Sequence, residues 1–197
     1  ERVVVEALKR DGLSLEQDTE LQMRYMSLLG DRGEGEEALR RAEVLDARLE
    51  RIGALLAARL QQARTSILQR FGDAEQARQA AHDSVRRMDE MEVERGRAKA
   101  LQLVALTEER CGNLKQALVS FDEAIAAARA VGDEFNLMVS LVNVTGTRLR
   151  SGDLDGAERI GLEALETAQR LNVSRAEVIA RANLEWIALE RAPSAAL

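Results

Sequence analysis

The stretch from Ser140 to Ala164, SLVNVTGTRLRSGDLDGAERIGLEA, decides the fold of this chain. Its apolar residues recur at the three- and four-residue spacing of an amphipathic helix on both sides of Gly152-Asp153, where the glycine indicates a tight turn. Alanines follow that glycine at fixed offsets, at Ala157 and at the last residue of the stretch. The stretch therefore predicts two helices joined by a short turn.

The same skeleton recurs upstream. The corresponding glycine and alanine positions are Gly112 with Ala117 and Ala124, Gly72 with Ala77, and Gly33 with Ala38. From Gly33 to Gly152 these glycines are 39, 40 and 40 residues apart. A repeat of this length built from helix pairs indicates a solenoid, in which each repeat packs only on its neighbours.

The segment L-V-N-V-T-x-x-R-x-x-x-G-D-L-D-x-A resembles the tetratricopeptide repeat. Leu141 stands at the large residue of the first helix, Arg148 stands where an aromatic is usual, and Gly152, Ala157 and Ala164 stand at the turn glycine and the two small positions of the second helix. HEAT-type repeats share the period, but a glycine-acid turn with alanine five residues on favours the tetratricopeptide repeat. The period of about 40 exceeds the usual 34 and is similar to the long-repeat variety of bacterial maltose-regulator-like and peptide-sensing regulators.

This resemblance implies an all-α protein, an α-solenoid of antiparallel helix pairs in a right-handed superhelix, with about nine helices. Composition favours the same class, since the chain is 46% hydrophobic yet only 3% aromatic and is rich in strong helix formers. We expect one helical-repeat domain over 1–197 that is a fragment of a larger protein. Its expected parts are a leading helix at 1–12, repeats at 14–51, 53–92, 95–131 and 133–171, a half repeat at 174–190 and a tail at 191–197.

Local signals predict where helices begin and end. The S-x-x-Q at Ser14 is a capping box, and D-x-x-Q at Asp73 and N-x-x-Q at Asn113 predict capped second helices. In the charged segment 89–99 we expect a helix break near Gly96, and Pro193 should stop the last helix. The second helix of the first repeat is expected to run to about residue 51, and the leading helix should end at 11–12.

The turn glycines have a conformational role. A residue in the left-handed region commonly ends a helix, and glycine adopts that region without steric cost. Gly112 and Gly152 should therefore have positive φ.

Charge and cysteine content exclude several classes of function. A net charge of −6 disfavours a nucleic-acid surface, because phosphate binding rests on clustered positive charge. No apolar run is long enough to predict a membrane span. The single cysteine, Cys111, excludes an internal disulfide and fits a reducing cytoplasm.

Nothing in the sequence predicts catalysis, a metal site or a cofactor. The only histidine, His82, has Asp83 beside it, which is too little for a metal site, and Cys111 is expected to be a small packing residue. The acidic run at 89–94 lacks the spacing of a calcium loop. The glycines are isolated turn residues, so no phosphate-binding loop is present.

The resemblance implies a binding surface on the concave face. In tetratricopeptide folds, first-helix residues thirteen, ten, six and three before the turn glycine usually line it. Carried over, the partner-binding residues are Arg59, Gln62, Ser66, Gln69, Lys99, Gln102, Glu109, Val142 and Trp186. The remaining positions of that register are Glu20, Met23, Ser27, Leu106, Val139, Leu149, Ile179, Ala182 and Leu189. The middle of this face is polar and its far end is apolar, which suits a peptide or a polar ligand; an asparagine-based clamp for a chaperone carboxylate is not supported.

Two functions stay open at this stage. The first is a non-catalytic protein–protein interaction scaffold within a larger bacterial signalling or transcription-regulating protein, which predicts broad, shallow contact. The second is a sensor that binds a small molecule or short peptide, which predicts a closed pocket at Arg59, Gln62, Lys99 and Gln102.

The last helix carries too many apolar residues for a one-sided contact. They are Val178, Ile179, Leu184, Trp186, Ile187 and Leu189. We expect them to be covered by a second copy of the chain or by a following helix, since an exposed patch of that size promotes association.

Overall fold

The computed structural model describes residues 2–8 and 12–192. Within these ranges there is no strand, and ten helices are present where the sequence predicts about nine. They are α1 (Arg2–Leu8), α2 (Leu15–Asp31), α3 (Gly35–Asp46), α4 (Ala54–Phe71), α5 (Ala74–Glu90), α6 (Glu94–Arg110), α7 (Leu114–Ala130), α8 (Glu134–Arg150), α9 (Leu154–Arg170) and α10 (Ser174–Arg191). The predicted end of the leading helix at Asp11 and the predicted stop at Pro193 lie outside the described residues.

The helices stack in chain order. Each one packs against the next, and α2, α4, α6, α8 and α10 also contact one another in sequence; we call these the A helices. The B helices α3, α5, α7 and α9 make no contact with each other in the described part of the chain. Because the A helices touch and the B helices are apart, the A helices line the concave side. The chain is an all-helical, tetratricopeptide-like solenoid, as predicted.

Small residues let the helices approach. The alanine five residues after each turn glycine is completely buried, at Ala38, Ala77, Ala117 and Ala157. Gly161 on α9 is a further close contact, because a Cβ there would come within 3.0 Å of the Leu184 side chain. Such residues permit interaxial distances near the low end of about 8–10 Å.

Six turns close in one way. Their left-handed residues are Gly33, Glu92, Gly112, Gly132, Gly152 and Asn172, so the prediction for Gly112 and Gly152 is confirmed. In each, the next amide donates to the carbonyl five residues back, as Asp153 does to Arg148 at 3.0 Å. This is the Schellman arrangement. Gly72 differs, since its φ of −92° is not left-handed.

Two of the three predicted caps form. Ser14 makes the full capping box, and Asp73 accepts from two amides of the first turn of α5. The predicted cap by Asn113 is wrong. Its amide Nδ2 donates instead to Glu108 Oε2 at 2.8 Å, because that buried carboxylate needs a donor.

Two predicted helix ends are also corrected. α3 ends at Asp46, and a turn occupies the following residues to Ile52. The helix break predicted in segment 89–99 is present, at 91–93 between α5 and α6, but Gly96 itself lies inside α6. A Cβ at Gly96 would come within 2.3 Å of Met88 Sδ, so this glycine serves the close packing of α5 on α6.

Candidate functional site: the concave groove

We call the concave surface of the A helices the groove. All nine predicted partner-binding residues lie on A helices, but their exposure differs. Arg59, Lys99 and Trp186 are exposed; Ser66, Gln69 and Glu109 are half-buried; Gln62, Gln102 and Val142 are buried. The first three are therefore the most accessible to a partner.

The buried three share one register, ten residues before the turn glycine. There they pack where neighbouring A helices meet: Gln62 Nε2 on α4 donates to the Gly96 carbonyl on α6 at 2.7 Å. Gln102 Nε2 is buried and has no hydrogen-bond partner in the described part of the chain. These three side chains are therefore mostly covered, although Gln62 still lines a cavity of the groove.

The half-buried three mostly make internal contacts. The Glu109 carboxylate accepts from the Thr147 hydroxyl and from the Arg150 guanidinium, both on α8. The Ser66 hydroxyl donates to the Gln62 carbonyl at 3.0 Å. Glu109 therefore links two A helices instead of standing free.

A cavity of about 470 Å³ opens at the N-terminal end of the groove; we call it the cationic concavity. Its lining residues are Val4, Met23, Arg24, Ser27, Leu28, Asp31, Arg59, Gln62, Ala63 and Lys99. It holds three of the four residues of the predicted closed pocket, but Gln102 does not line it. The cavity is also open to solvent, as shallow partner contact requires.

The charges in the cationic concavity are unevenly paired. Glu20 Oε1 accepts from Arg24 at 3.1 Å and from Arg59 at 3.3 Å, and these hydrogen bonds hold the pKa of Glu20 below its usual range. Lys99 has no such partner among the described residues. Although its side chain is exposed, it stands inside a concave surface, and desolvation followed by the charge of Arg59 lowers its pKa.

A second cavity, of about 480 Å³, lies at the other end of the groove. Its lining residues are Gly146, Leu149, Arg150, Gly152, Leu154, Asn183, Trp186 and Glu190. Trp186 is 62% exposed, and its Nε1 donates to Glu190 Oε1 at 2.9 Å. On the opposite wall of the cavity, Gly146 has no side chain, and a Cβ there would contact only the Arg150 guanidinium, at 3.7 Å. This leaves space next to the indole ring. The tryptophan face is thus open to a ligand.

Sequence reasoning missed several lining residues. Arg24 and Ala63 stand nine residues before Gly33 and Gly72, a register next to one that was used. Asn183 stands 40 residues after Asn143, one repeat period on, but its register is not among those used to assign binding residues. Including the position nine residues before each turn glycine would have identified Arg24 and Ala63.

The other candidate chemistry is sparse. His82 Nε2 lies 3.4 Å from Glu108 Oε1, and Cys111 is half-buried with Sγ 3.9 Å from the Ala74 carbonyl. Within residues 2–8 and 12–192, no group of three or more His, Cys, Asp or Glu side chains is placed to hold a metal ion. In the same ranges, no helix has the length and apolar character to span a membrane.

No element among residues 2–8 and 12–192 packs on the outer side of α10. Its residues Val178, Arg181, Ala182, Glu185 and Leu189, which we call the C-terminal face, are exposed. The residues one period earlier on α8 are Met138, Leu141, Val142, Thr145 and Leu149, of which the first four are buried. Val178 is 66% and Leu189 75% exposed, although the same register is covered in the preceding repeat.

Comparison with solved structures shows the same fold at low sequence identity. A Rap protein in complex with Competence and Sporulation Factor is 15% identical, with a TM-score of 0.81 over 94% of this chain and 52% of that one. A Signal Transduction ATPase with Numerous Domains (STAND) protein with a tetratricopeptide repeat sensor, from Pyrococcus horikoshii, is 15% identical, with a TM-score of 0.75 over 93% of this chain and 28% of that one. BtubC (BKLC) from P. vanneervenii is 14% identical, with a TM-score of 0.70 over 100% of this chain and 92% of that one.

The chain thus spans about half the length of the Rap protein and less than a third of the STAND protein. No family model matches the sequence, and no curated protein matches it.

Proposed function

We propose that this chain is a non-catalytic interaction region that binds an extended protein segment or peptide in its groove. The observation that carries the proposal is the pair of open cavities along one wall of A helices, one cationic and one built around Trp186. An extended ligand can contact both, whereas a compact ligand would fill only one. The similarly folded Rap protein, solved in complex with Competence and Sporulation Factor, supports a groove of this use.

The wider setting is a larger bacterial protein that regulates signalling or transcription. The STAND protein, which carries a tetratricopeptide repeat sensor, supports a sensory role within a larger chain. The partners we propose are proteins or peptides in the cytoplasm, and neither nucleic acid nor a membrane, because the net charge of −6 repels anionic surfaces.

A sensor for a small molecule is the second candidate. A cavity of about 470 Å³ falls within the range of about 300–1,000 Å³ that small ligands occupy. It would use Arg59 and Lys99, two of the three exposed cations that line that cavity, the third being Arg24. Its open mouth favours the peptide proposal.

Self-association is a further proposed partner interaction, through the C-terminal face. Its support is the exposure of Val178, whose counterpart Met138 on α8 is buried, and of Leu189, whose counterpart Leu149 is half-buried.

The experiment is selection of displayed peptides on the 197-residue chain. Peptides that enrich should lose binding to Arg59→Glu and Lys99→Glu, because both side chains are exposed in the groove. They should keep binding to the convex-face variants Arg40→Glu and Lys115→Glu, which lie on B helices. Peptides that tolerate the groove variants and are lost with the convex ones would place the functional surface on the outer face.

A further inference from the structure

We infer that a cavity on the first repeat, away from the groove, is a binding site for a phosphate monoester. The cavity has a volume of about 270 Å³ and lies between α2 and the B helix α3; we call it the arginine pocket. None of its lining residues also lines a groove cavity, so the inference goes beyond the proposed peptide-binding function. It rests on three arginines of the lining, on the contacts that hold them, and on the N–H groups that they keep available.

The three arginines are a feature of the first repeat. Arg40, Arg41 and Arg48 stand seven, eight and fifteen residues after the turn glycine Gly33. At the same positions the other repeats have Gln79, Ala80 and Arg87; Val119, Ser120 and Ala127; and Arg159, Ile160 and Thr167. A terminal repeat needs a polar outer face, but that need does not call for three cations in one cavity. Their concentration there indicates an anionic ligand.

Two of the arginines are held in place by their neighbours. Arg41 is half-buried, its guanidinium lies 4.5 Å from the centroid of the Tyr25 ring, and its Nη1 donates to Gln22 Oε1 at 2.6 Å. Arg48 is also half-buried, and its Nη1 donates to Asp18 Oδ2 at 2.6 Å. Because these side chains are already ordered, a ligand that binds them pays little of the entropy cost of immobilising them.

Each of the three guanidiniums keeps a nitrogen for a ligand. In the described part of the chain, no hydrogen-bond partner is present for Arg40 Nη1, for Arg41 Nη2, or for Nε and Nη2 of Arg48. Glu37 is the one acidic residue of the lining, and its Oε2 accepts from both Nε and Nη2 of Arg40. Even when Asp18 is counted, which pairs with Arg48 from outside the lining, one positive charge is in surplus.

The donors and the volume select the kind of anion. A phosphate monoester has three terminal oxygens and a charge of about −1.5 to −2 at pH 7, which match three separate guanidiniums. A carboxylate has only two oxygens and one charge. The volume of about 270 Å³ is below the roughly 300–1,000 Å³ of cavities for drug-sized ligands, so the pocket suits a single group of its ligand. Val44, which is 65% exposed in the lining, supplies apolar surface for the rest of it.

The test is a titration of the 197-residue chain followed by ¹H–¹⁵N NMR. The probe is N-acetyl-O-phosphoserine amide, for which we expect a Kd in the millimolar range. The matched controls are the neutral N-acetylserine amide and the singly charged N-acetylaspartate amide. The phosphate probe should shift the backbone amide signals of Gln22, Arg41 and Val44 until they saturate. The neutral control should shift none of them, and the carboxylate should bind about threefold more weakly or worse.

Two variants should change the Kd of the phosphate probe in opposite directions. Arg40→Gln removes an exposed guanidinium and should weaken binding about fivefold. Glu37→Gln removes the only carboxylate of the lining and should tighten binding about threefold or more, because a like charge is lost and Arg40 is released. The matched controls are Arg78→Gln and Glu75→Gln, which alter an exposed pair of the same spacing on α5 and should leave the Kd unchanged.

Three outcomes would each overturn the site. They are the absence of saturable shifts at Gln22, Arg41 and Val44, equal affinity for the phosphate and carboxylate probes, and a Kd that neither Arg40→Gln nor Glu37→Gln changes. Arg40 is exposed, so its replacement tests the site without disturbing the fold.

Two further probes identify what carries the phosphate. Amidated N-acetyl-phosphoseryl-leucine has a side chain that can contact Val44, whereas glycerol 3-phosphate has none. Tighter binding of the dipeptide assigns the site to a phosphorylated protein segment, and equal or tighter binding of glycerol 3-phosphate assigns it to a small phosphate ester. The displayed peptides that test the groove carry no phosphate, so the arginine pocket and the groove function stand or fail separately.

Discussion

Arg110 Nη1 on α6 donates to the carbonyl oxygen of Leu68 at the end of α4, at a distance of 2.9 Å. The same guanidinium donates to the carbonyls of Gln69, at 2.6 Å, and Gly72. One repeat earlier, Arg70 Nη2 donates to the Gly30 carbonyl at 2.8 Å. Arginines two residues before a turn glycine thus tie successive A helices together at their C-terminal ends.

This arginine explains why Gly72 alone among the four turn glycines is not left-handed. Elsewhere a left-handed residue turns the chain so that its own amides satisfy the last carbonyls of the helix. At Gly72 the guanidinium supplies those donors from the next repeat. The end of α4 is therefore capped both by the Gly72 amide, which donates to the Leu68 carbonyl at 2.8 Å, and by an arginine of the next repeat.

We expect Arg110→Met to lower the free energy of unfolding by about 1–2 kcal/mol, because charge-assisted hydrogen bonds to three carbonyls are lost and the site is partly exposed. Arg110→Lys should restore less than half, since an ammonium lacks the planar fork of five donors. Chemical denaturation gives the values. The control is Arg129→Met, which removes an exposed pair with Glu163 and should change stability by about 0.5 kcal/mol or less. A loss at Arg110 no larger than that control would contradict the capping role.

The turn glycines give a second prediction. At Gly112 and Gly152, φ is +81° and +80°, and a Cβ would meet nothing within 4 Å. Alanine there should cost about 1 kcal/mol from backbone conformation alone. Gly146→Ala is the matched control, because this glycine is inside α8 with open space around it; it should stabilise by about 0.5–1 kcal/mol. Thermal unfolding of the three variants checks both signs, and unchanged melting of the two turn variants would refute the first.

Two turns have a residue other than glycine in the left-handed region, and they give a further prediction. Glu92 and Asn172 hold φ of 53° and 55°, and asparagine tolerates that region better than glutamate. Glu92→Gly should therefore stabilise by about 0.5–1 kcal/mol, whereas Asn172→Gly should be nearly neutral. Measured by denaturant unfolding, equal effects at the two sites would show that backbone strain is not the cause.

Periodicity was enough to predict the fold, because glycine and alanine at a period of about 40 report directly on turns and helix crossings. The site was only partly predictable. Register alone could not show that Gln62 donates to the Gly96 carbonyl on the next A helix or that Gln102 is buried, since both depend on how closely the helices approach. Nor could it show that Asn113 would donate to a buried glutamate instead of capping α7. Which partner a buried polar side chain takes depends on contacts between residues far apart in sequence, because a buried polar group without a hydrogen bond is costly.

The position of Arg148 is another example. An aromatic is usual there, but the arginine lies between two carboxylates and donates to Asp153 Oδ2 at 2.7 Å. That hydrogen bond, with the one from the Gly156 amide, lowers the pKa of Asp153. Arg148, which replaces the aromatic of the tetratricopeptide pattern, thus stabilises the turn through its ion pair with Asp153.

Lys99 gives a pH-dependent prediction. Its folded pKa lies below the ordinary 10.5, so the unfolded chain binds the proton more tightly and protonation of Lys99 disfavours folding. Lys99→Met should therefore raise the free energy of unfolding near about pH 7, and this advantage should vanish as the pH rises through the lowered pKa to about 10.5. Lys115→Met, on the exposed convex side, should show no such advantage. An advantage of Lys99→Met that is constant with pH would mean that methionine packing, and not charge, is responsible.

The final prediction concerns self-association through the C-terminal face. In a solenoid each repeat buries its apolar side only against a neighbour, and α10 leaves Val178 and Leu189 uncovered. An antiparallel α10 pair about a two-fold axis would set Val178 of one copy against Leu189 of the other, with Ala182 near the axis allowing close approach. Sedimentation at micromolar concentration should then show a dimer.

Leu189→Glu should convert that dimer to a monomer, because it would bury an unpaired charge in the contact. Val119→Glu, an equally drastic change at an exposed valine of the convex helix α7, should leave the mass unchanged. Trp186→Ala is the sharper comparison, because Trp186 lines the groove cavity and lies outside the C-terminal face. If Trp186→Ala dissociates the dimer and Leu189→Glu does not, the copies meet through the groove itself, and a bound peptide would then compete with self-association.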